Sequence, residues 1–185
     1  MIDDVLKESE DKMTKAIEAL KRELVTIRTG RASPGLVERI HVDYYGVPTP
    51  LNQVAAISAP ELRLLVIQPW EKNMIGPIEK AIQKSDLGLT PNNDGKMIRL
   101  MIPQLSEERR KDLVKIVHKR VEECKVAIRN IRREEVDNLK EMEKEKLISE
   151  DDLKRSQEKL QKTTERFTEQ AEHVGAAKER EVLEV

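Results

Sequence analysis

Three arginines, Arg129, Arg132 and Arg133, are the residues whose type and spacing best suit binding to an anion. At about 100° per residue in a helix, they fall within one arc of about 100°. Two lysines extend the same face: Lys125 and Lys140. A guanidinium group donates paired hydrogen bonds that match phosphate oxygens. Because no aromatic residue interrupts this face, the pattern predicts contact with the backbone of folded RNA or DNA rather than stacking on single-stranded bases.

The same face has an ordinary alternative explanation. Charged helices gain solubility and modest stability from ion pairs between residues three or four positions apart. The chain has 34 basic and 35 acidic residues and a formal net charge of −1, so carboxylates that could pair with these arginines are plentiful. The neighbouring Glu134 and Glu135 point away from the arginine face. The pattern alone leaves both explanations open.

No set of side chains has the spacing of a catalytic or metal site. The three histidines lie in different predicted elements: His41, His118 and His173. Neither an HExxH motif nor a glycine-rich phosphate-binding loop occurs. Cys124 lies on an apolar helix stripe, where burial raises the pKa of a thiol and makes it inert. We therefore expect no catalytic residue, no metal ligand and no cofactor, and the chain is predicted not to be an enzyme.

Composition favours long helices in a reducing compartment. Charged residues make up 37% of the chain, and only four residues are aromatic. The single cysteine excludes an internal disulfide. No apolar run approaches the roughly 18 residues of a membrane span, and the acidic N-terminus lacks the apolar core of a secretory signal. These features predict a cytoplasmic protein without a membrane partner.

Apolar periodicity predicts three helices in the outer segments. The first carries Leu6, Met13, Leu20 and Ile27 at seven-residue intervals, and Gly30 is expected to stop it. The second is expected to begin near Ser106. The third follows a pair with capping-box spacing, namely Ser149 and Asp152. Each stripe must be buried for its helix to be stable, so the sequence predicts a long three-helix bundle. Glu135 falls on the second stripe, where looser packing is expected.

The middle of the chain differs from both flanks. It holds all eight prolines, six of the seven glycines, and 15 charged residues among positions 30–103, against 54 among the other 111. Alternating residues such as Ile40, Val42 and Tyr44 predict strands, and positions 71–84 predict a short helix. The fold class is therefore α+β. A bundle domain of residues 1–29 and 106–185 carries a small α/β sandwich or barrel, residues 31–104, inserted between its first two helices.

Two short connections join the predicted domains. Gly30 offers a pivot, and Pro103 biases the residue before it toward an extended conformation. Paired connections restrict a small domain more than one tether would, yet still let it swing. The residues assigned to this hinge are Gly30, Arg31, Ala32, Pro103, Gln104, Leu105 and Ser106.

Long stretches of the sequence resemble the ribosome recycling factor family. The likeness is closest in RTGRASPGLVERIHVDYYGVPTPLNQVA, SDLGLTPNNDGKMIRLMIPQL and VAIRNIRREEVDNLK, and it covers essentially the whole chain. The first predicted helix starts without a presequence, which favours a bacterial rather than an organellar member. The resemblance implies a hinged, L-shaped monomer of roughly transfer-RNA dimensions. Its bundle would lie along the ribosomal RNA of the large subunit.

The resemblance also implies a function and its residues. With elongation factor G and GTP, such a factor binds the post-termination ribosome, splits it into subunits and frees messenger and deacylated transfer RNA. Arg132 corresponds to the central family contact with ribosomal RNA, with Arg129 beside it, while Arg133 follows from the geometry of the face. Three further arginines are weaker candidates: Arg28, Arg31 and Arg110.

Two other functional classes fit parts of the sequence. A structural adaptor or chaperone that docks helices of other proteins explains the apolar stripes and the charged surfaces, but it gives no reason for the arginine face. A nuclease would require a particular pair of carboxylates, and no spacing nominates one.

Overall fold

The computed structural model describes residues 1–184 and divides them into two compact units. The first unit combines residues 1–28 with 107–184, and the second comprises residues 29–106. Helices of the first unit are α1 (Ile2–Val25), α3 (Glu107–Lys144) and α4 (Glu150–Glu184). The second unit holds α2 (Ile75–Lys84) and six strands, namely β1 (His41–Tyr44), β2 (Val47–Pro50), β3 (Ala55–Glu61), β4 (Leu64–Pro69), β5 (Asn92–Asn93) and β6 (Ile98–Met101). The predicted α+β fold class is confirmed.

The predicted apolar stripes form the core of the bundle. Met13 and Leu20 of α1, Ile128 of α3, and Leu160 and Phe167 of α4 are all almost completely buried. Because helices in proteins gain most of their stability from packing of an apolar face, this shared core is what holds the three helices together. Each helix therefore contributes its apolar face to the core of the bundle and leaves its charged face in solvent.

Helix α1 ends earlier than the sequence suggested. It stops at Val25, five residues before the expected stop at Gly30. The amides of Thr26 and Ile27 bond carbonyls three residues back, and the Thr26 hydroxyl donates to the carbonyl of Glu23 at 2.6 Å. These bonds, each to a residue three positions back, satisfy carbonyls at the end of the helix, so the helix terminates there. Gly30 lies beyond it with a φ of +79°.

The link between α3 and α4 contains the predicted capping box. The amide of Asp152 donates to the Ser149 hydroxyl at 3.0 Å, and the amide of Ser149 donates to the Asp152 carboxylate at 3.3 Å. The bond from the Ser149 amide to the carboxylate lowers the pKa of Asp152. Lys146 provides the turn with a φ of +61°. The two helices can therefore fold back on each other over a short loop.

Gly175 lies at a close approach of α4 to α3. A Cβ at this position would overlap Cγ2 of Val121, and Val117 lies beside it. Gly175 is fully helical and buried. The absence of a side chain at this position is what lets the two helices come together here.

The second unit packs α2 and a β-hairpin with a four-stranded sheet. Strands β1 and β2 form the hairpin, in which Tyr45 and Gly46 both have positive φ, as a two-residue turn of this kind requires. The sheet is antiparallel throughout, in the order β3-β4-β6-β5. Its core residues include Leu65, Ile67, Ile98 and Leu100, together with Ile78 of α2.

The turn before β6 is fixed by Asp94. Its carboxylate accepts hydrogen bonds from the amides of Lys96 and Met97, both at 2.9 Å, and from the Arg99 guanidinium at 3.0 Å. These bonds lower the pKa of Asp94 to about 2. Because the folded state favours the ionised form, this contribution to stability is present above the usual aspartate pKa and is lost as pH falls toward 2.

We expect acid to destabilise the second unit partly through Asp94. Trp70, the only tryptophan, lies in this unit, so its fluorescence is a probe confined to this unit. The urea concentration at the unfolding midpoint should decrease as the pH is lowered from about 5 to about 2. In Asp94→Asn this decrease should be smaller. Asp86→Asn is the matched control, since Asp86 is exposed and makes no hydrogen bond or ion pair within residues 1–184. An equal acid dependence in wild type and Asp94→Asn would contradict the assignment.

Candidate nucleic-acid interface

The three arginines of the predicted anion-binding face lie on two consecutive turns of α3. Arg129 and Arg133 are exposed and Arg132 is half-buried. Ile128 and Leu139, both completely buried, anchor this part of α3 to the core on either side of the arginines. The side chains therefore project from a backbone that is fixed by packing, which favours a precise contact surface. We call Arg129, Arg132 and Arg133 the arginine strip.

The strip is only partly neutralised by the protein itself. Arg129 pairs with Glu122 at 3.2 Å, and both side chains are more than half exposed. Arg132 and Arg133 make no hydrogen bond or ion pair with any residue of positions 1–184. The ordinary explanation of the strip was internal ion pairing. Within these residues it accounts for Arg129 and does not account for Arg132 or Arg133.

The two lysines that extend the face differ from each other. Lys125 is largely buried against α4, and its ammonium group donates to Glu172 at 2.7 Å. This contact lowers the pKa of Glu172 and neutralises the lysine charge. Lys140 is exposed and has no ion-pair partner among the described residues. The positive surface therefore extends toward Lys140 rather than toward Lys125.

The weaker arginine candidates are not part of the strip. Arg110 lies in the first turns of α3, 22 positions before Arg132, which corresponds to about 33 Å along a helix. Arg28 follows the end of α1 and is exposed. Because α1 and α3 are antiparallel, Arg28 and Arg110 belong to the same end of the bundle. Arg31 is an exposed residue of the second unit.

Two of the segments assigned to the hinge are anchored within the second unit. The amide of Ala32 donates to the carbonyl of Leu62 at 2.7 Å, and Ala32 is buried. The amide of Ile102 donates to the carbonyl of Arg63 at 2.8 Å. Gln104 accepts a longer hydrogen bond from Arg63 at 3.4 Å. Parts of both connections are thus bonded within the second unit, and the hinge remains a prediction.

Other chemistry is not apparent in the part of the chain that the structure describes. Residues 1–184 contain no group of three or more histidine, cysteine or acidic side chains that could hold a metal ion. His118 contacts Glu179 at 3.1 Å and His173 contacts Glu169 at 3.4 Å, both at exposed positions. Burial raises the pKa of the Cys124 thiol, as expected for a residue on the apolar stripe. No helix within these residues has the length and apolar character needed to cross a membrane.

Sequence reasoning missed one residue next to the strip. Glu135 was expected to loosen the packing, but it is completely buried and pairs with Lys12 of α1 at 3.1 Å. A buried carboxylate is tolerated when a cation and hydrogen bonds compensate it. The available signal was an acidic residue on an apolar stripe, which calls for a basic partner on a neighbouring helix. The sequence did not show which lysine that would be.

Comparisons with known proteins agree along the whole chain. The ribosome recycling factor family model matches residues 20–183. A ribosome-recycling factor of Roseiflexus sp. (strain RS-1) is 58% identical over 185 residues, covering all of both chains. One of Caldicellulosiruptor bescii is 59% identical over 177 residues, 96% of each chain.

Solved structures give the same assignment. A solution structure of the ribosome recycling factor has a TM-score of 0.74 and 43% identity, covering 100% of this chain and 98% of the other. A second match is the T. thermophilus ribosome recycling factor, described with E. coli elongation factor G bound to the E. coli post-termination complex. Its TM-score is 0.64 at 46% identity, covering 99% of each chain. The chain belongs to the ribosome recycling factor family.

Proposed function

We propose that this chain binds the large subunit of the post-termination ribosome and, with elongation factor G and GTP, splits the ribosome into subunits. Messenger RNA and deacylated transfer RNA are released in the process. Membership of the family supports the overall reaction, and the relative described with elongation factor G supports the partner. The observation that carries the contact with ribosomal RNA is the pair of arginines, Arg132 and Arg133, that have no partner within residues 1–184.

The proposed contact is electrostatic and directional. Arg129, Arg132 and Arg133 donate to phosphate oxygens of ribosomal RNA, and Arg132 is the central residue because it corresponds to the central contact of the family. Arg28, Arg31 and Arg110 are secondary candidates for the RNA surface. The bundle of residues 1–29 and 106–185 is the anchored domain, and residues 31–104 form the domain that moves about the hinge.

The free energy for splitting comes from the partner. The family consists of translation factors that are not enzymes. A protein that only binds can shift an equilibrium by the difference between its affinities for two states. Repeated separation of subunits therefore depends on GTP hydrolysis by elongation factor G. With this role, we expect the chain to act in the cytoplasm, as a monomer and without a cofactor.

A splitting assay tests this function. Subunits should appear from post-termination ribosomes when the chain, elongation factor G and GTP are all present, and omission of any one should leave the ribosomes intact. Cosedimentation with large subunits should weaken steeply as salt is added, because phosphate contacts release counterions. An affinity for large subunits that does not change with salt concentration would indicate a protein partner, as expected of a structural adaptor. Splitting by the chain without elongation factor G would contradict the proposed source of energy.

A further inference from the structure

The buried carboxylate of Glu135 is held by two donors. Lys12 of α1 donates to Oε1 at 3.1 Å, and the side-chain amide of Asn138 donates to Oε2 at 3.4 Å. Glu135 is completely buried, while the Lys12 side chain is 40% exposed and also pairs with Glu8 at 3.3 Å. The hydrogen bond to Glu135 raises the pKa of Lys12, so the lysine is held in its charged form.

Glu135 is three positions after Arg132 on α3. Residues three positions apart are neighbours on a helix, so an arginine and a glutamate at this spacing can form an ion pair. At about 100° per residue, Arg132 and Asn138 flank Glu135 on opposite sides, each by about 60°. Asn138 therefore holds the carboxylate on the side away from Arg132, and Lys12 holds it toward α1. No ion pair between Arg132 and Glu135 is present.

The nearest acidic residue of α4 is also engaged. Two contacts define the antiparallel register of α3 and α4, namely Lys125 with Glu172 at 2.7 Å and His118 with Glu179 at 3.1 Å. These contacts are separated by seven residues in each helix, and one more such step places Glu165 across from Arg132. Glu165 accepts a hydrogen bond from Gln161 at 3.1 Å and makes no ion pair within residues 1–184.

We propose that Lys12 is a positioning residue for Arg132: by holding Glu135, it keeps the Arg132 guanidinium available for a phosphate. A buried carboxylate that loses its cation must find another or become protonated. Arg132 is the cation adjacent to it on the same helix, so loss of Lys12 draws Arg132 onto Glu135. This inference rests on the proposed contact of Arg132 with ribosomal RNA.

Four variants test the proposal: Lys12→Met, Lys12→Arg, Lys12→Met with Glu135→Gln, and Arg132→Gln. Affinity for large ribosomal subunits is measured over a salt series, at a temperature where circular dichroism shows each variant folded. Lys12→Met should bind about tenfold more weakly, the scale of one lost hydrogen bond to a charged group. Its salt slope should fall by about one phosphate contact. Lys12→Arg should restore binding, and so should removal of the Glu135 charge in the double variant.

A second measurement reports on the arginine directly. The side-chain Nε–H NMR signal of Arg132 is assigned by its absence in Arg132→Gln. It should shift in Lys12→Met and return to its wild-type position in the double variant. Lys15→Met is the matched control, because Lys15 is an exposed lysine one turn along α1 that has no ion-pair partner within residues 1–184. It should move neither the signal nor the salt slope.

The outcomes separate this inference from the proposed function. An unmoved Arg132 signal in Lys12→Met, or weak binding that Glu135→Gln does not restore, would overturn the role of Lys12. Either result would leave a purely structural ion pair between α1 and α3. Normal binding by Arg132→Gln would instead refute the proposed RNA contact, on which the inference depends.

Discussion

Arg132→Gln is expected to weaken binding to the large ribosomal subunit by about 10- to 100-fold, the range for loss of hydrogen bonds to a charged group. The protein itself should be almost unaffected. Arg132 makes no ion pair or hydrogen bond within residues 1–184, and glutamine is a good helix former. The thermal melting of the bundle, followed by circular dichroism, should therefore stay close to that of the wild type.

The comparison that makes this result specific uses another arginine. Arg180 of α4 is exposed and also lacks a partner within residues 1–184, so Arg180→Gln changes net charge equally. It should alter affinity by less than about threefold, as expected of a distant charge under salt screening. Equal losses of affinity in the two variants would mean that binding depends on the total charge of the bundle and that there is no localised binding site. A collapse of melting in Arg132→Gln would make Arg132 a structural residue.

Gly175→Val is expected to destabilise the bundle by about 2–3 kcal/mol, the upper range for inserting atoms into a packed interface. The Cβ alone would overlap Cγ2 of Val121, whose side chain is itself buried beside Val117. The helices must then separate, or the Val121 side chain must move. Gly175→Ala should also destabilise, although the same change at an exposed helix position would stabilise by about 1 kcal/mol.

Ala177→Val provides the control for Gly175→Val. Ala177 is exposed in the same helix, two positions further along, so this variant carries only the lower helix propensity of valine, about 0.5 kcal/mol. Urea unfolding monitored by far-ultraviolet circular dichroism gives both free energies. If Gly175→Val proved as stable as Ala177→Val, the close approach of α3 and α4 at this point would not be required for the bundle.

The bundle could be predicted from sequence because its signal is long and regular. Apolar residues such as Met13, Leu20 and Ile128 recur at helical spacing over many turns, and burial of those positions follows directly. The end of α1 could not be predicted in the same way. Gly30 was the stronger stop signal, but hydrogen bonds of Thr26 ended the helix first. Helix ends depend on a few local bonds that periodicity does not report.

Strands of the second unit were harder to predict for a specific reason. Pro48 and Pro50 lie in β2, and Pro60 lies in β3, although proline lacks the amide needed inside a sheet. The structure accommodates them because β2 belongs to a two-stranded hairpin and β3 is an edge strand. Only the order of the strands reveals that these positions need no donor, and that order is not visible in one sequence.

The candidate site was predicted as a set of residue types, but not as a set of contacts. Helical geometry alone grouped Arg129, Arg132 and Arg133, and they do share two turns of α3. The sequence did not reveal that Arg129 is paired whereas the other two are not. That distinction depends on which carboxylates are engaged elsewhere, and the burial of Glu135 with Lys12 shows that such partners come from remote positions.

The insertion of one unit into the other affects the order in which a nascent chain can fold. Residues 29–106 are continuous, so the second unit is complete as soon as they leave the exit tunnel. Helix α1 is made first, yet residues 26–106 must be synthesised before α3 even begins. At roughly 5–20 residues per second, its apolar stripe stays uncovered for several seconds. During synthesis, the first-made helix therefore waits for α3 and α4 before its apolar stripe is buried.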